Sequence, residues 1–481
     1  MSTFSGLSTA LSSLTAQRQA LEVSGQNVAN ANTVGYTRQR ATMSAVSATE
    51  VPSMFSVASG AGLGTKVTSI DRLADVFLDA KVRTATSSAS YLAARADAYS
   101  TLEQGVGEPA TTGLSGQLST MWAAWQDVAN TPDKTSARSV LLENAKAVAD
   151  RLGTLYTTVR TQWDQTRTTT VALVDQVNTA AASIADLNTR IGEITASGGT
   201  AHELMDQRDQ LATSLSSLVG ATSELRPDGT LEVLVGGNAL VSGKHASALA
   251  VVGATSFGQA TSGQAVSVVW SDRPTQDAGL DGGRVAGLLS VLAPADASGT
   301  GGVLAEAAAQ YDTLATTLAT QVNALHGTAL TLPTPPATEG VPGGDFFAFT
   351  AGQPAALGLH VAITDPSAVA VAQAGSGALD SSVADAIAQL GSATTGPDAL
   401  WNRAVSDLGV RVSSATSRAD VAEAARSSAE GQQLAQASVD TDEETVNMLA
   451  FQRAYEGAAR VLTAIDEMLD TLINRTGLVG R

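Results

Sequence analysis

The chain has 481 residues, no cysteine, 4% aromatic residues and a formal net charge of -18 at pH 7. This length predicts roughly two to four domains, and the lack of cysteine excludes disulfides, thiolate metal sites and a cysteine nucleophile. The negative charge argues against nucleic acid and anionic membrane as partners. The sequence also has no run of about 18 apolar residues that could span a membrane.

The start of the chain carries apolar residues at alternating steps of three and four. This spacing predicts an amphipathic helix with one narrow apolar seam. Arg18 and Gly25 occupy two of the seam positions and interrupt it. The apolar members of the seam are Phe4, Leu7, Leu11, Leu14, Leu21 and Val28.

The end of the chain repeats this pattern and predicts a second amphipathic helix. Two interpretations fit a narrow seam at each terminus. The terminal helices either pair with each other or with copies in neighbouring molecules, or they are ordinary surface helices that pack on a core. The seam residues of the second helix are Met448, Phe451, Tyr455, Ala458, Leu462, Ile465, Leu469 and Leu472.

A polar turn follows the first helix. Its asparagine side chains compete for backbone hydrogen bonds and so end the helix, while its glycine can adopt a positive φ. The residues concerned are Asn27, Asn30, Asn32, Gly35 and Tyr36. The run SGQNVANANTVGYTR, from Ser24 to Arg38, resembles the N-terminal signature of the bacterial flagellar axial proteins, the rod, hook and hook-associated subunits.

The middle of the chain predicts long helices. Helical periodicity extends over residues 71–106, 114–130, 134–196 and 202–219. At 1.5 Å per residue, the third of these reaches about 90 Å, a length that is typical of a filament subunit rather than an enzyme domain. Before them, Gly60, Gly62 and Gly64 lack the spacing of a dinucleotide-binding fingerprint. We therefore predict a turn and then a strand there.

The periodicity changes to that of short strands at about residue 221. Asp228 and Gly229 lie between two strand-like segments and predict a β-hairpin, with further strands near residues 240–241, 249–252, 266–270 and 285–289. Helix returns at 303–326. A Pro- and Gly-rich loop, short β-structure and one or two short helices lead to residue 397. From there helix runs to about Thr476, with weak points at Gly409 and Gly431.

Candidate sites for chemistry are few. The segment from His202 to Asp206 lacks the second histidine that a zinc-protease motif requires. We interpret Glu203, Asp206, Arg208 and Asp209 as a solvated helix face with local ion pairs. The acidic cluster of residues 440–444 is interpreted as the first turn of a helix with Thr441 or Asp442 as its cap. We predict no catalytic residue, metal ligand or cofactor.

The C-terminal segment also carries a family resemblance. The run from Val439 to Glu444, then Asn447 to Tyr455 and Ala458 to Leu462, resembles the C-terminal signature of the flagellar axial proteins. With the long helices in between, the chain resembles the hook-associated protein 1 family most. This implies a mainly α fold with a β-rich outer part. The parts would be a terminal coiled-coil domain (1–45 with 440–481), a long-helix bundle domain (46–220 with 302–328 and 397–439) and a β-rich outer region (221–301 and 329–396).

The resemblance implies a structural role at the junction between hook and filament. We expect assembly into a ring layer by terminal helix pairing, with the hook protein and the third hook-associated protein as partners. We further expect a cytosolic export chaperone at the C-terminal helix, and extracellular placement on the flagellum through type III export without a cleaved signal. The alternatives are another axial protein, such as a rod or hook subunit, or an enzyme carried on the filament.

Overall fold

The computed structural model describes residues 3–47, 62–296, 298–333, 339–377 and 379–475. Helices make up most of this part of the chain. They are α1 (Thr3–Asn30), α2 (Val76–Val106), α3 (Leu114–Asn130), α4 (Thr135–Ala196), α5 (His202–Val219), α6 (Phe257–Thr261), α7 (Gly283–Leu292), α8 (Val303–His326), α9 (Ala355–Gly358), α10 (Ser382–Ala388), α11 (Pro397–Ala437) and α12 (Thr441–Asp470).

The strands are short and pair antiparallel in four small sheets of the described residues. One sheet joins β1 to β2, a second joins β3 to β6, a third joins β7 to β9, and a fourth joins β10 to β11. The strands are β1 (Gln39–Ala45), β2 (Thr65–Arg72), β3 (Thr222–Leu225), β4 (Leu231–Val235), β5 (Asn238–Ser242), β6 (His245–Ala246), β7 (Leu249–Gly253), β8 (Val266–Trp270), β9 (Arg273–Asp277), β10 (Phe347–Phe349) and β11 (Leu359–Val361). The mainly α fold with a β-rich part is thereby confirmed.

Helix α4 is the central element because it contributes to both large hydrophobic cores. Its first half packs with α3, α8 and α11 around Trp125, Trp163 and Trp401. Its second half packs with α5 and with strands β4, β5 and β8 around Val233 and Trp270. The segment that contains β10, β11 and α10 packs on the first of these cores. Helix α4 therefore links the β-rich part to the helix bundle.

The hairpin predicted around Asp228 and Gly229 is confirmed. Strands β3 and β4 pair in register from Thr222 opposite Leu234 to Leu225 opposite Leu231. The Asp228 carboxylate accepts a hydrogen bond from the Thr230 backbone N–H at 3.0 Å. Gly229 has a φ of 81°, which favours glycine at this turn position.

The strand predicted over residues 285–289 is wrong, since these residues lie in helix α7. Helix α7 packs against α2, α4 and α5, so most of its sides are apolar and the sequence shows no clear period. A Cβ on Gly287 would lie 2.6 Å from the backbone oxygen of Tyr91 in α2. The glycine therefore permits the close approach of α7 to α2.

The helix predicted from residue 397 onward is divided at a different place. Helix α11 continues through Gly409 and Gly431, and residues 438–440 separate it from α12. The cap of α12 is Asp440 rather than Thr441 or Asp442. Its carboxylate accepts from the N–H groups of Asp442 at 2.9 Å and Glu443 at 3.1 Å. The acidic cluster thus begins a helix, as predicted, but the capping residue lies one position before the nearer of the two predicted ones.

The two terminal helices pack side by side in the same chain. The face of α1 that becomes buried consists mainly of Ala10, Ala16, Ala20 and Val23. Small residues let the two helices approach closely, since a Cβ on Gly6 would lie only 3.1 Å from Ile465 Cδ1. The glycines of the predicted turn at residues 60–64 lie partly outside the described residues.

Candidate functional site

The N-terminal seam lies beside the buried face of α1 rather than on it. Leu7, Leu14 and Leu21 are partly buried, whereas Leu11 and Val28 are exposed. The side chain of Phe4 lies outside the described residues. Two of the predicted seam residues therefore remain available at the surface of a single chain.

The C-terminal seam faces α1 along most of its length. Ile465 is buried, and Met448, Phe451, Leu462 and Leu469 are partly buried. Two members of this seam, Tyr455 and Leu472, are exposed. The terminal helices are thus brought together within one molecule.

Helix α12 carries a second apolar stripe that our seam assignment missed. Val446, Leu449, Val461 and Met468 are each at least half exposed. With Ala450, Ala454, Gly457 and Ala464, the residues Val446, Val461 and Met468 recur at helical steps of three and four, and Leu449 lies one turn after Val446. This spacing was the signal that could have found them. We call Val446, Leu449, Val461 and Met468 the outer stripe.

The turn after α1 is organised by the buried side chain of Asn27. Its Nδ2 donates to the Gln39 backbone oxygen at 2.8 Å, and its Oδ1 accepts from the Gln39 N–H at 3.0 Å. The same Oδ1 accepts from the Tyr36 hydroxyl at 3.0 Å. Asn27 therefore fixes the start of β1 against the end of α1.

The other turn residues have smaller roles. Asn30 donates from Nδ2 to the Gln26 backbone oxygen at 3.0 Å, and Asn32 is exposed. Gly35 has a φ of 77°, a backbone conformation in which side chains are strained. The Gln210 side chain of α5 lies directly against it and donates to the Val34 backbone oxygen at 2.6 Å. The turn thus contacts the helix bundle.

Tyr36 is held in its protonated form. Burial raises its pKa to about 12, and the nearby carboxylates of Glu203, Asp206 and Glu444 contribute to the rise. At neutral pH the hydroxyl therefore always carries the hydrogen that it donates to Asn27.

Arg38 joins this turn to α12. Its Nε donates to Glu444 Oε1 at 2.7 Å and its Nη1 donates to Glu443 Oε2 at 2.9 Å. Its backbone N–H donates to the Ala437 oxygen at the end of α11 at 2.9 Å. The hydrogen bond from Arg38 lowers the pKa of Glu443. We call the contact of Arg38 with Glu443 and Glu444 the terminal clamp.

A buried ion-pair network lies where a solvated face was predicted. Arg72 Nη2 lies 2.5 Å from Asp206 Oδ1 and 2.9 Å from Asp209 Oδ2. Asp206 and Arg208 are both almost completely buried, so their assignment to a solvated face is wrong. The reason is tertiary: strand β2 and helix α2 lie against this side of α5, and their residues Arg72 and Arg83 supply the opposite charges.

The described residues contain no cluster of three or more histidine or acidic side chains that could hold a metal ion. Within the same residues, no helix is long and apolar enough to cross a membrane. A cavity between α8 and α11 has aromatic walls and includes Asp296 and Glu306, and none of the described residues that line it is a histidine or a serine. The surfaces described above are suited to protein contacts.

The sequence comparisons identify what these surfaces belong to. Residues 99–347 match the helical domain of the flagellar hook-associated protein FlgK. Flagellar hook-associated protein 1 of Bacillus subtilis (strain 168) is 30% identical, over 100% of this chain and 100% of that protein. The chain belongs to the flagellar hook-associated protein 1 family. It is a structural protein of the bacterial flagellum at the hook–filament junction.

Further comparisons agree with this membership. The hook-associated protein 1 of Escherichia coli (strain K12) is 29% identical over 51% of this chain and 44% of that protein. The solved FlgK hook junction protein of Burkholderia pseudomallei has a TM-score of 0.62 at 17% identity, covering 75% of this chain and 100% of that one. This likeness shows a shared fold.

The terminal segments also match broader flagellar families. Residues 7–37 match the flagella basal body rod protein family, and residues 431–475 match the C-terminal family of the basal body rod FlgEFG proteins. These matches lie towards the two ends of the chain, and the match to the FlgK helical domain lies between them.

Proposed function

We propose that this family member assembles its layer through the terminal helix pair, and that neighbouring copies meet along the outer stripe of α12 and the exposed seam residues of α1. One observation carries the proposal. Helix α12 covers its seam with α1 of the same chain, yet Val446, Leu449, Val461 and Met468 stay exposed. Apolar stripes of this kind are covered when a partner helix packs on them.

Charge supports a defined contact between copies. Residues 1–48 are net positive, whereas residues 439–481 are net negative. The face of α12 that is neither seam nor outer stripe carries Gln452, Glu456 and Asp470, which are exposed. A neighbour's apolar face therefore has one preferred side of α12 to approach, although each exposed ion pair contributes little free energy.

The partners follow from the position of the layer. The ring formed by this chain would contact the hook protein on one side and the third hook-associated protein on the other. In this arrangement the terminal coiled-coil domain lies innermost, the long-helix bundle domain surrounds it, and the β-rich outer region faces outward. The long α4, which joins the two large cores, suits such a layered subunit.

Before assembly the outer stripe needs another partner. We propose that a cytosolic export chaperone binds α12 there, and that the chain then leaves the cell through the flagellum-specific type III route. A chaperone grip on exposed apolar residues would also prevent premature association of copies. This hook-associated protein 1 family member is proposed to act without catalysis and without a cofactor.

A strain that lacks the native protein tests the outer stripe. Val461→Asp and Met468→Asp each place a charge on the stripe, whereas Gln452→Asp places the same charge on the polar face of α12. We expect the two stripe variants to make hooks but to shed flagellin into the medium, and the Gln452→Asp variant to retain filaments. Filaments retained by both stripe variants would contradict the proposal.

A further inference from the structure

The cavity between α8 and α11 is lined by more acids than bases. It has a volume of about 470 Å³, which falls within the range of pockets that bind small molecules. Among the described residues that line it, Asp296, Glu306 and Asp407 are acidic and Arg403 is basic. Arg403 is exposed, so water and salt screen its charge. The cavity is therefore suited to a cation rather than to an anion.

The aromatic walls of the cavity also favour a cation. Tyr311 and Trp401 line it and are almost completely buried, and the centres of their rings lie 6.0 Å apart. The Trp401 indole N–H donates to Glu108 Oε1 at 3.0 Å, which fixes the ring in the single chain. The face of an aromatic ring attracts a cation, and proteins use preformed aromatic walls to bind organic ammonium groups.

One oxygen of the buried acid in this cavity lacks a hydrogen-bond donor. Glu306 is 7% exposed, and its Oε2 accepts from Arg411 Nη1 at 2.9 Å. Its Oε1 is buried and has no hydrogen-bond partner among the described residues. A buried carboxylate oxygen without a donor destabilises the fold. Glu306 lines both this cavity and an adjoining one of about 30 Å³, so the missing donor would come from this space.

Arg411 does not cancel the negative charge of the cavity. Its Nε lies 2.8 Å from Asp407 Oδ2 while its Nη1 donates to Glu306, so one guanidinium group serves two carboxylates. Asp296 is the third acid, and its carboxylate accepts from the Thr300 hydroxyl at 2.6 Å and the Thr300 N–H at 2.8 Å. These hydrogen bonds lower the pKa of Asp296, which keeps it charged at neutral pH. Even with the arginine at the rim counted, carboxylates outnumber guanidinium groups.

The unpartnered oxygen selects one class of cation. Glu306 Oε1 needs an N–H donor, and a primary ammonium group supplies three of them on a compact charge. A quaternary ammonium group has the charge but no donor. The remaining wall is apolar and includes Leu314, Leu400 and Ala404, which suit an alkyl chain attached to the ammonium group. A small aliphatic primary amine therefore matches the acid, the aromatic rings and the apolar wall together.

We propose that this cavity binds a small aliphatic primary amine in its ammonium form. The ammonium group donates to Glu306 Oε1, and the alkyl chain lies against Tyr311 and Trp401. The ligand thereby supplies the donor that the buried carboxylate lacks. None of the described residues that line the cavity belongs to α1 or α12, so the proposal does not depend on assembly through the terminal helices. We call this cavity the amine site.

Titration of the purified full-length chain with pentylamine at neutral pH tests the amine site. Calorimetry measures the affinity, and the NMR signal of the Trp401 indole N–H, assigned with Trp401→Phe, reports where the ligand binds. We expect saturable binding that shifts this signal. Pentyltrimethylammonium, which has the charge but no N–H, and pentanol, which lacks the charge, should each bind at least about tenfold more weakly. Equal affinity for the three compounds would overturn the proposal.

A matched pair of substitutions separates the amine site from the net charge of the chain. Glu306→Gln removes the charge of the unpartnered acid and should weaken pentylamine binding at least about tenfold. Glu423→Gln removes the same charge from an exposed ion pair with Arg426 on α11 and should leave the affinity unchanged. Equal losses of affinity in the two variants would show that pentylamine responds to net charge alone, which would overturn the proposal.

A third variant covers the case in which Glu306→Gln does not fold. Ala309 is exposed and lines the cavity, so Ala309→Phe should fill the amine site without changing the melting temperature of the ligand-free chain. Pentylamine should raise the melting temperature of the wild-type chain, because a ligand stabilises the state that binds it, but it should not raise that of Ala309→Phe. An equal rise in both chains, or no saturable binding by the wild-type chain, would overturn the proposal.

Discussion

Arg38 donates from Nε to Glu444 Oε1 at a distance of 2.7 Å and thereby joins the turn after α1 to the first turn of α12. These residues are 406 positions apart in the chain. The Glu444 side chain is only 3% exposed, whereas that of Glu443, the other acid of the terminal clamp, is 58% exposed. The two acids share one arginine but differ in how much their loss should destabilise the terminal helix pair.

Replacing Glu444 with Gln should loosen the base of the terminal helix pair. The substitution leaves Arg38 without its buried counter-charge, and breaking a buried pair costs roughly 3 kcal/mol. Hydrogen exchange of the α12 backbone amides in the monomer measures the change. Glu443→Gln is the matched control, for which we expect a much smaller change, because the Glu443 side chain is exposed to solvent. Equal acceleration of exchange in both variants would show that burial of Glu444 does not matter.

Replacing Asn27 with Ala should release the turn that follows α1. The change leaves the Gln39 N–H and the Tyr36 hydroxyl without their acceptor, and an unsatisfied buried group costs about 1–3 kcal/mol. Hydrogen exchange of the Gln39 backbone amide should accelerate by the factor that corresponds to this free-energy cost. Asn32→Ala is the control, because Asn32 is exposed in the same turn and we expect almost no effect. Undiminished protection of Gln39 in Asn27→Ala would contradict the proposed role of the Asn27 side chain.

The sequence predicted those features that depend on neighbouring residues. The spacing of Leu462, Ile465 and Leu469 predicted the face of α12 that contacts α1, because helical periodicity is local. The bounds of α4 were predicted within one residue for the same reason. The assignment to the flagellar axial proteins came from short motifs at both ends and was confirmed by the comparisons.

Features that depend on distant residues were not predicted. Arg72 and Asp206 lie 134 positions apart, so Asp206 has the sequence pattern of an ordinary surface charge although it is buried. The apolar run of α7 resembles a strand because α2, α4 and α5 cover several of its sides. The buried face of α1 contains alanines rather than the predicted leucines, because strands β1 and β2 pack on this helix in addition to α12.

Replacing Asp206 with Asn should destabilise the contact between strand β2 and helix α5. Arg72 would keep Asp209 but lose its closer partner, and the Thr37 N–H would lose an acceptor charge. We expect a loss of roughly 2–4 kcal/mol in the free energy of unfolding, measured by urea denaturation. Asp186→Asn, on an exposed ion pair of α4, should change it by less than about 1 kcal/mol. Similar values for the two variants would refute the buried network.

His326 should make stability depend on pH. The buried imidazole is hydrogen-bonded to the Gly344 oxygen at 2.8 Å and accepts from the Ala370 N–H at 2.9 Å. Burial lowers its pKa below the ordinary value of 6.5, so the unfolded chain binds the proton more readily. The stabilisation that the neutral His326 imidazole provides is therefore complete above pH 6.5 and is lost as the pH falls below that value.

The His326→Asn variant checks this pH dependence. It should unfold more easily than the wild-type chain at neutral pH, and the difference in melting temperature should narrow between about pH 7 and pH 5. The narrowing follows because the wild-type chain alone loses stability through this imidazole. His360 is exposed, so the melting temperature of His360→Asn should change with pH in the same way as that of the wild-type chain. A constant difference for His326→Asn across this range would contradict the predicted loss of stability at acidic pH.

Binding of the purified chain to isolated hooks tests the terminal proposal most directly, because it removes export from the measurement. Hooks from a strain that lacks the native protein are incubated with wild-type chain, with the Gln452→Asp control or with the Val461→Asp/Met468→Asp double variant. Electron microscopy then counts the hook tips that carry a new layer. We predict layers with the first two proteins and none with the double variant, and equal layer formation by all three would contradict assembly through the outer stripe.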